Sequence, residues 1–149
     1  MEIADKISIN SSPDRVYNAL IFFFQNSESY KLWHPDHISC YWKKGEDFSS
    51  GSVLIAKEYL HGKPHKLGFI ITNYKQDCLF EYKTLFPFSI ICPGGDFEIV
   101  PKGKETEFVA KLNFRGGKLL KMMFKNNIEQ LEKHMKEEGE NLKKFVESF

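Results

Sequence analysis

The chain has 149 residues, 42% of them hydrophobic and 28% charged. That is the size and composition of one globular domain, expected to span residues 1–149, and it excludes wholesale disorder. Lys and Arg number 21 against 20 Asp and Glu, a formal net charge of +1, so no nucleic acid and no membrane is expected as a partner. Phe is unusually frequent, 14 residues, which implies either a thick core or a cavity lined with aromatic rings.

The beginning of the chain, Met-Glu-Ile-Ala-Asp-Lys, has no basic stretch followed by an apolar one, so no secretory signal is read there. The longest apolar run, Ala19 to Phe24, is too short to span a bilayer. Cys40, Cys78 and Cys92 are odd in number and show no metal-ligand spacing such as C-x-x-C, so reduced structural thiols and a cytoplasmic location are expected.

Glu2 to Ile9 alternates, with Ile3, Ile7 and Ile9 sharing a face with Asp5, and reads as an edge strand. Ser11-Ser12-Pro13-Asp14 is a helix start, and Val16, Tyr17, Leu20, Ile21 and Phe24 give that helix one apolar face. Ser27 opens a second short helix that must stop near Pro35. The period then becomes two, predicting strands over 37–44, 52–61, 65–75, 78–86, 94–101 and 105–115. Their short polar connections join antiparallel neighbours, because parallel strands need long crossovers. Gly116-Gly117 ends the pattern, and a helical period runs from about Lys118 to Phe149.

The predicted fold is therefore α+β: a curved antiparallel sheet of about seven strands wrapped around a long C-terminal helix, with one or two short helices after the first strand. This arrangement resembles the helix-grip fold of the START and pollen-allergen (SRPBCC) superfamily over essentially the whole chain. Three segments, Trp33-His34-Pro35-Asp36-His37, Glu58-Tyr59-Leu60-His61-Gly62-Lys63 and His134 through Lys143, resemble its polyketide cyclase/dehydrase-like branch. The resemblance implies a deep, mostly apolar cavity between sheet and helix that holds a small hydrophobic molecule. The residues expected to line it are Trp33, Trp42, Leu54, Phe108, Leu112, Leu131 and Met135.

Polar residues interrupt this apolar scheme in three places. Phe124, Ile128, Leu131, Met135, Glu138, Leu142 and Phe145 follow one another at steps of four and three, which puts Glu138 in the buried stripe of the C-terminal helix. A carboxylate there must be neutral, paired or metal-bound. His134 lies one turn before it, so both side chains can address one point; the alternative is a kink at Gly139 that turns Glu138 to solvent. In the strand 52–61, Leu54, Ala56, Glu58 and Leu60 share a face, and Lys57 and His61 are easier to place outside, which sends Glu58 inward. An ordinary outer-face position for Glu58 is also compatible with the pattern. Trp33-His34-Pro35-Asp36-His37 forms the lip before the second strand and carries two histidines.

His and carboxylate ligands from separate elements are what a catalytic zinc or similar divalent ion requires. The candidate ligands are His37, Glu58, His134 and Glu138, with His34 as substitute or outer partner, and Glu58 and Glu138 double as candidate catalytic carboxylates. The set also resembles the metal-dependent diacetylphloroglucinol hydrolases of the same superfamily, in which a His and a Glu likewise lie one turn apart on the C-terminal helix; this chain is shorter than those enzymes. Two functions follow: a metal-assisted cyclase, dehydratase or hydrolase acting on a small aromatic or polyketide-like carbonyl compound, or a non-catalytic carrier or sensor of an apolar ligand. The protein is expected to be a monomer or homodimer.

Overall fold

A computed structural model describes all residues, 1–149. Seven strands, β1 (Glu2–Ile9), β2 (His37–Lys44), β3 (Val53–Leu60), β4 (Lys63–Lys75), β5 (Leu79–Thr84), β6 (Gly94–Lys102) and β7 (Glu105–Asn113), form one antiparallel sheet in the order β1-β7-β6-β5-β4-β3-β2. Helices α1 (Pro13–Phe23) and α2 (Ser27–Trp33) separate the two edge strands, and α3 (Lys118–Met123) and α4 (Lys125–Glu147) follow the sheet. This is the helix-grip arrangement that the order of periods predicts.

Local chemistry explains the differences from the predicted boundaries. His61 and Gly62 both have positive φ, 56° and 74°, the backbone of a two-residue hairpin turn. The tight turn lets β4 begin at Lys63, with Pro64 already paired opposite Tyr59. The strand expected over 78–86 stops at Thr84, and a short 3-10 turn, Phe88–Ile90, leads to β6. The helix expected from Lys118 onward is broken at Phe124, where φ is −117° and ψ 30°. No residue of α3 is buried, so tertiary packing does not hold that short segment in line with α4.

The core is a contiguous cluster of 25 buried residues. Phe23 and Trp33 stack with ring centroids 5.3 Å apart, Phe24 meets Trp33 and Phe48 edge-on, and Phe48 lies 4.1 Å from Phe80. The aromatic excess thus builds a thick core of rings from α1, α2 and the sheet. Trp33, Leu54 and Phe108 are packed inside this cluster with at most 2% of their surface exposed, whereas the inward rings Phe69, Tyr82 and Phe97 are only partly buried. Trp42 and Leu112 pack against its edge, and Trp42 donates its indole N–H to the Phe24 carbonyl at 3.1 Å.

Helix α4 lies along β1 and touches α1 and α2. Its approach to β1 is close at Gly139, where an added Cβ would sit 3.1 Å from Asp5 Oδ2 and 3.4 Å from Ile7 Cγ2. The glycine therefore does not kink the helix, which is continuous from Lys125 to Glu147; it lets the helix dock, and docking keeps Glu138 turned inward. Leu142, wholly buried on the same face, should lose about 2–5 kcal/mol of stability on substitution by Ala. Urea unfolding of L142A would check this, and a loss below about 1 kcal/mol would contradict the α4 packing.

Candidate metal centre

Each predicted polar residue is brought to the site by a local feature. Asn26 and Ser29 cap the start of α2 reciprocally, Ser29 N–H donating to Asn26 Oδ1 at 2.9 Å and Asn26 N–H to Ser29 Oγ at 3.1 Å. Pro35 denies its predecessor the helical region, and His34 is extended with φ −152° and ψ 139°. The chain therefore turns out of α2 into β2. The β2–β3 register pairs His37 with Glu58 and slips between His37 and Ser39, a bulge that aims His37 inward. On α4, His134 and Glu138 stand one turn apart.

The four candidate ligands converge. His37 Nε2 is 2.9 Å from Glu138 Oε2 and 3.7 Å from Glu58 Oε2. His134 Nε2 is 3.4 Å from Glu138 Oε2 and 3.8 Å from Glu58 Oε1. One donor atom from each of His37, Glu58 and His134 falls within 4.8 Å of the others, and all three residues are buried. Two helices and a strand pair are tied together around them: Trp33 donates its indole N–H to the Glu138 carbonyl at 2.9 Å, and the Asn141 amide donates to the Trp33 carbonyl at 2.9 Å.

Hydrogen bonding tests whether this set suits a cation. His37 Nδ1 lies 2.9 Å from the Tyr30 carbonyl, which only accepts, so Nδ1 carries the proton. In the neutral ring Nε2 is then a lone pair facing a carboxylate oxygen at 2.9 Å. Two acceptors that close need a shared proton or a cation between them. Both ring nitrogens of His134 are buried without a hydrogen-bond partner, a costly arrangement that a bound ion would relieve. The residues fit a divalent metal. His34 fits less well as a substitute ligand, because its Nδ1 already accepts the Asp36 N–H at 2.9 Å. Its proton therefore sits on Nε2, 3.5 Å from Glu137 Oε1.

The charges are set by the same geometry. Burial opposes protonation of His134, but the Glu138 carboxylate, followed by Glu58 and Asp36, overrides it and raises the imidazole to about 9. Burial alone would raise the Glu138 carboxyl; the charge of His134, 3.4 Å away, with help from His37, holds it well below the ordinary carboxylate range. Burial and the neighbouring His134 charge lower His34. Without a metal, a proton on His134 balances part of the charge of the two carboxylates.

Tyr30 was not legible as a site residue. Burial and then the Glu58 carboxylate push its phenol well above the usual value, so it stays protonated and donates to Glu58 Oε2. Its ring also stacks on His37 at 3.8 Å. Its place one helical turn before Trp33, on the short helix that leads to the lip, was the available signal.

His134 forms part of the floor of an open cleft of about 310 Å³, lined also by Asp36, Tyr59, Leu60, Gln130 and Glu137. An apolar pocket of about 120 Å³ adjoins it, sharing Leu60, His61 and Leu131 and adding Phe88, Leu120 and Phe124. Of the residues expected to line a cavity, Leu131 faces both spaces, whereas Met135 lies at a separate shallow groove beside β1. Both spaces lie at the rim of the fold, between the β3–β4 turn and α4.

Comparison with known proteins agrees with this fold. No family model matches the chain, and no curated protein matches it in sequence. Among solved structures, Ara h 8.0201 superposes with a TM-score of 0.75 at 13% identity, covering 100% of this chain and 99% of its own. A START superfamily protein from Mycobacterium smegmatis gives 0.67 at 15% identity over 99% and 97% of the two chains. The Zhui aromatase/cyclase from a Streptomyces species gives 0.68 at 12% identity over 95% and 93%. The chain therefore has the helix-grip fold seen in these structures.

The raised His134 value has a definite consequence for protein treated with a chelator. A group whose folded value lies above its unfolded one contributes fully below the unfolded value and loses that contribution as pH rises through the folded one. The melting midpoint should therefore fall between about pH 6.5 and about pH 9. Thermal melts in EDTA across that range check it, and E138Q should flatten the slope. A midpoint that rises in the wild type would contradict the pairing.

Proposed function

We propose that this protein is a metal-dependent enzyme of the cyclase/dehydrase-like class, acting on a small carbonyl compound with an apolar portion. His37, Glu58, His134 and Glu138 would hold the ion, and their mix of imidazole and carboxylate on separate elements suits zinc. The observation that carries the reading is the buried, unpartnered His134 ring, set between two carboxylates at the end of an open cleft. When bound there, a divalent cation would polarise a substrate carbonyl and acidify water.

The chain's own groups supply the rest. Tyr30 anchors Glu58 through Oε2 and the Tyr30 carbonyl orients His37 through Nδ1, so the donor set is held before anything binds. A carboxylate oxygen of the Glu58–Glu138 pair left free by the ion could take a proton from a substrate that reaches this depth. The polar cleft admits the reacting end of a substrate, and the apolar pocket beside it takes a hydrophobic group. The name of the Zhui aromatase/cyclase and the polyketide cyclase-like resemblance support ring-forming, dehydrating or hydrolytic chemistry. Carriage without chemistry is less well supported, since ionisable groups face the cleft.

Elemental analysis tests the metal directly. Protein reconstituted with zinc should hold about one equivalent after dialysis. Less than about a tenth of an equivalent would overturn the proposal. H134A should lose more than about 100-fold in zinc affinity while keeping the wild-type fold, and Y30F, which removes the anchor on Glu58, should lose about 10–100-fold. If H134A binds zinc like the wild type, the ion is held elsewhere. Turnover of aromatic ketone and ester substrates should fall by about 100-fold or more in E58Q; unchanged turnover would remove that carboxylate from the chemistry.

A further inference from the structure

The face formed by α3 and the β5–β6 connection is apolar, exposed and cationic. Leu119, Met122 and Met123 lie at i, i+3 and i+4 on α3 and are 72%, 76% and 68% exposed, while Leu120 alone turns inward to the core. The connection between β5 and β6 adds Phe86, Ile90 and Ile91, which are 79%, 60% and 43% exposed. The two segments touch: Arg115 N–H donates to the Ile91 carbonyl at 2.8 Å, and Ile91, Leu120 and Phe124 line one pocket. Surface side chains of this size rarely gather unless something covers them.

Charge indicates what covers them. No Asp or Glu occurs from Tyr82 to Gly95 or from Phe108 to Ile128, whereas Arg115, Lys118 and Lys121 stand exposed beside the apolar stripe. Glu129 and Glu132 line a groove with Lys118, Lys121, Lys125 and Met122, where cations outnumber acids three to two; the whole-chain charge of +1 conceals this local excess. An anionic bilayer suits both features: apolar side chains enter the headgroup boundary while Lys and Arg stay at the phosphate level.

We propose that this face docks the protein on anionic lipid bilayers. Behind the face lies the apolar pocket of about 120 Å³, whose walls include Leu120 and Phe124 and which shares Leu60, His61 and Leu131 with the cleft. A hydrophobic substrate dissolved in the bilayer would reach the site through it; this last step alone rests on the metal-enzyme reading.

Vesicle flotation tests the docking. The full chain should float with phosphatidylcholine vesicles containing about 30% phosphatidylserine, and high salt should release it. K118Q/K121Q should weaken partitioning by about 30-fold, and L119S/M122S by at least about ten-fold. Because no residue of α3 is buried, both variants should melt like the wild type. H134A should float as the wild type does, which separates this proposal from that of the metal. Absence of flotation on anionic vesicles would overturn the proposal. So would flotation unaffected by either double variant, or concentration-dependent dimerisation that L119S/M122S abolishes without vesicle binding.

Discussion

Two carboxylates, Glu58 and Glu138, are held away from water within reach of His37 and His134, and the surrounding structure answers the cost of keeping them charged there. Burial of an unpaired carboxylate is expensive, so each must find protons, cations or donors close by. Tyr30 supplies a hydroxyl to Glu58, His37 reaches Glu138, and His134 lies between the two. The links that position these groups run through the backbone: the Trp33 indole to the Glu138 carbonyl and the Asn141 amide to the Trp33 carbonyl. The short helix α2 is thereby lashed to α4, and the distance between the two halves of the site is set by hydrogen bonds outside it.

The rest of the interior does something different. Rings from α1, α2 and the sheet interlock in a continuous cluster. Two adjoining spaces open at the rim, where the β3–β4 turn, α4 and the β5–β6 connection meet. A polar cleft above buried ionisable groups, with an apolar pocket beside it, favours a reagent with one reactive polar end. The core therefore stabilises the frame, and the chemistry is confined to one end of it.

Much of the site was legible because its residues violate the patterns they sit in. Glu138 occupies an apolar step of a helical stripe, and Glu58 sits among inward apolar neighbours on a strand. Periodicity flags both, since burial follows the 3.6 and 2.0 repeats, but it left open a kink at Gly139 and an outer-face Glu58. Their pairing with His37 was not readable in that way. It depends on the β2–β3 register and on a bulge at His37, and a slip of one residue would have turned the imidazole to the opposite face. Tyr30 escaped notice because a tyrosine on an amphipathic helix looks like core; only the fold shows its hydroxyl on Glu58.

The sequence by itself determined the order of elements and the antiparallel sheet, because hydrophobic period and turn chemistry are local properties. It also placed His134 and Glu138 together, one helical turn being a local distance. Tertiary structure decided what lies between distant elements: that Glu58 and Glu138 both turn inward, that rings from α1, α2 and the sheet interlock, that Gly139 admits β1 instead of bending α4, that the helix breaks at Phe124, and that an outward apolar stripe on α3 meets the β5–β6 connection. Those outcomes depend on how volumes and unpaired polar groups are shared among segments far apart in the chain, and no periodicity within a single segment encodes that sharing.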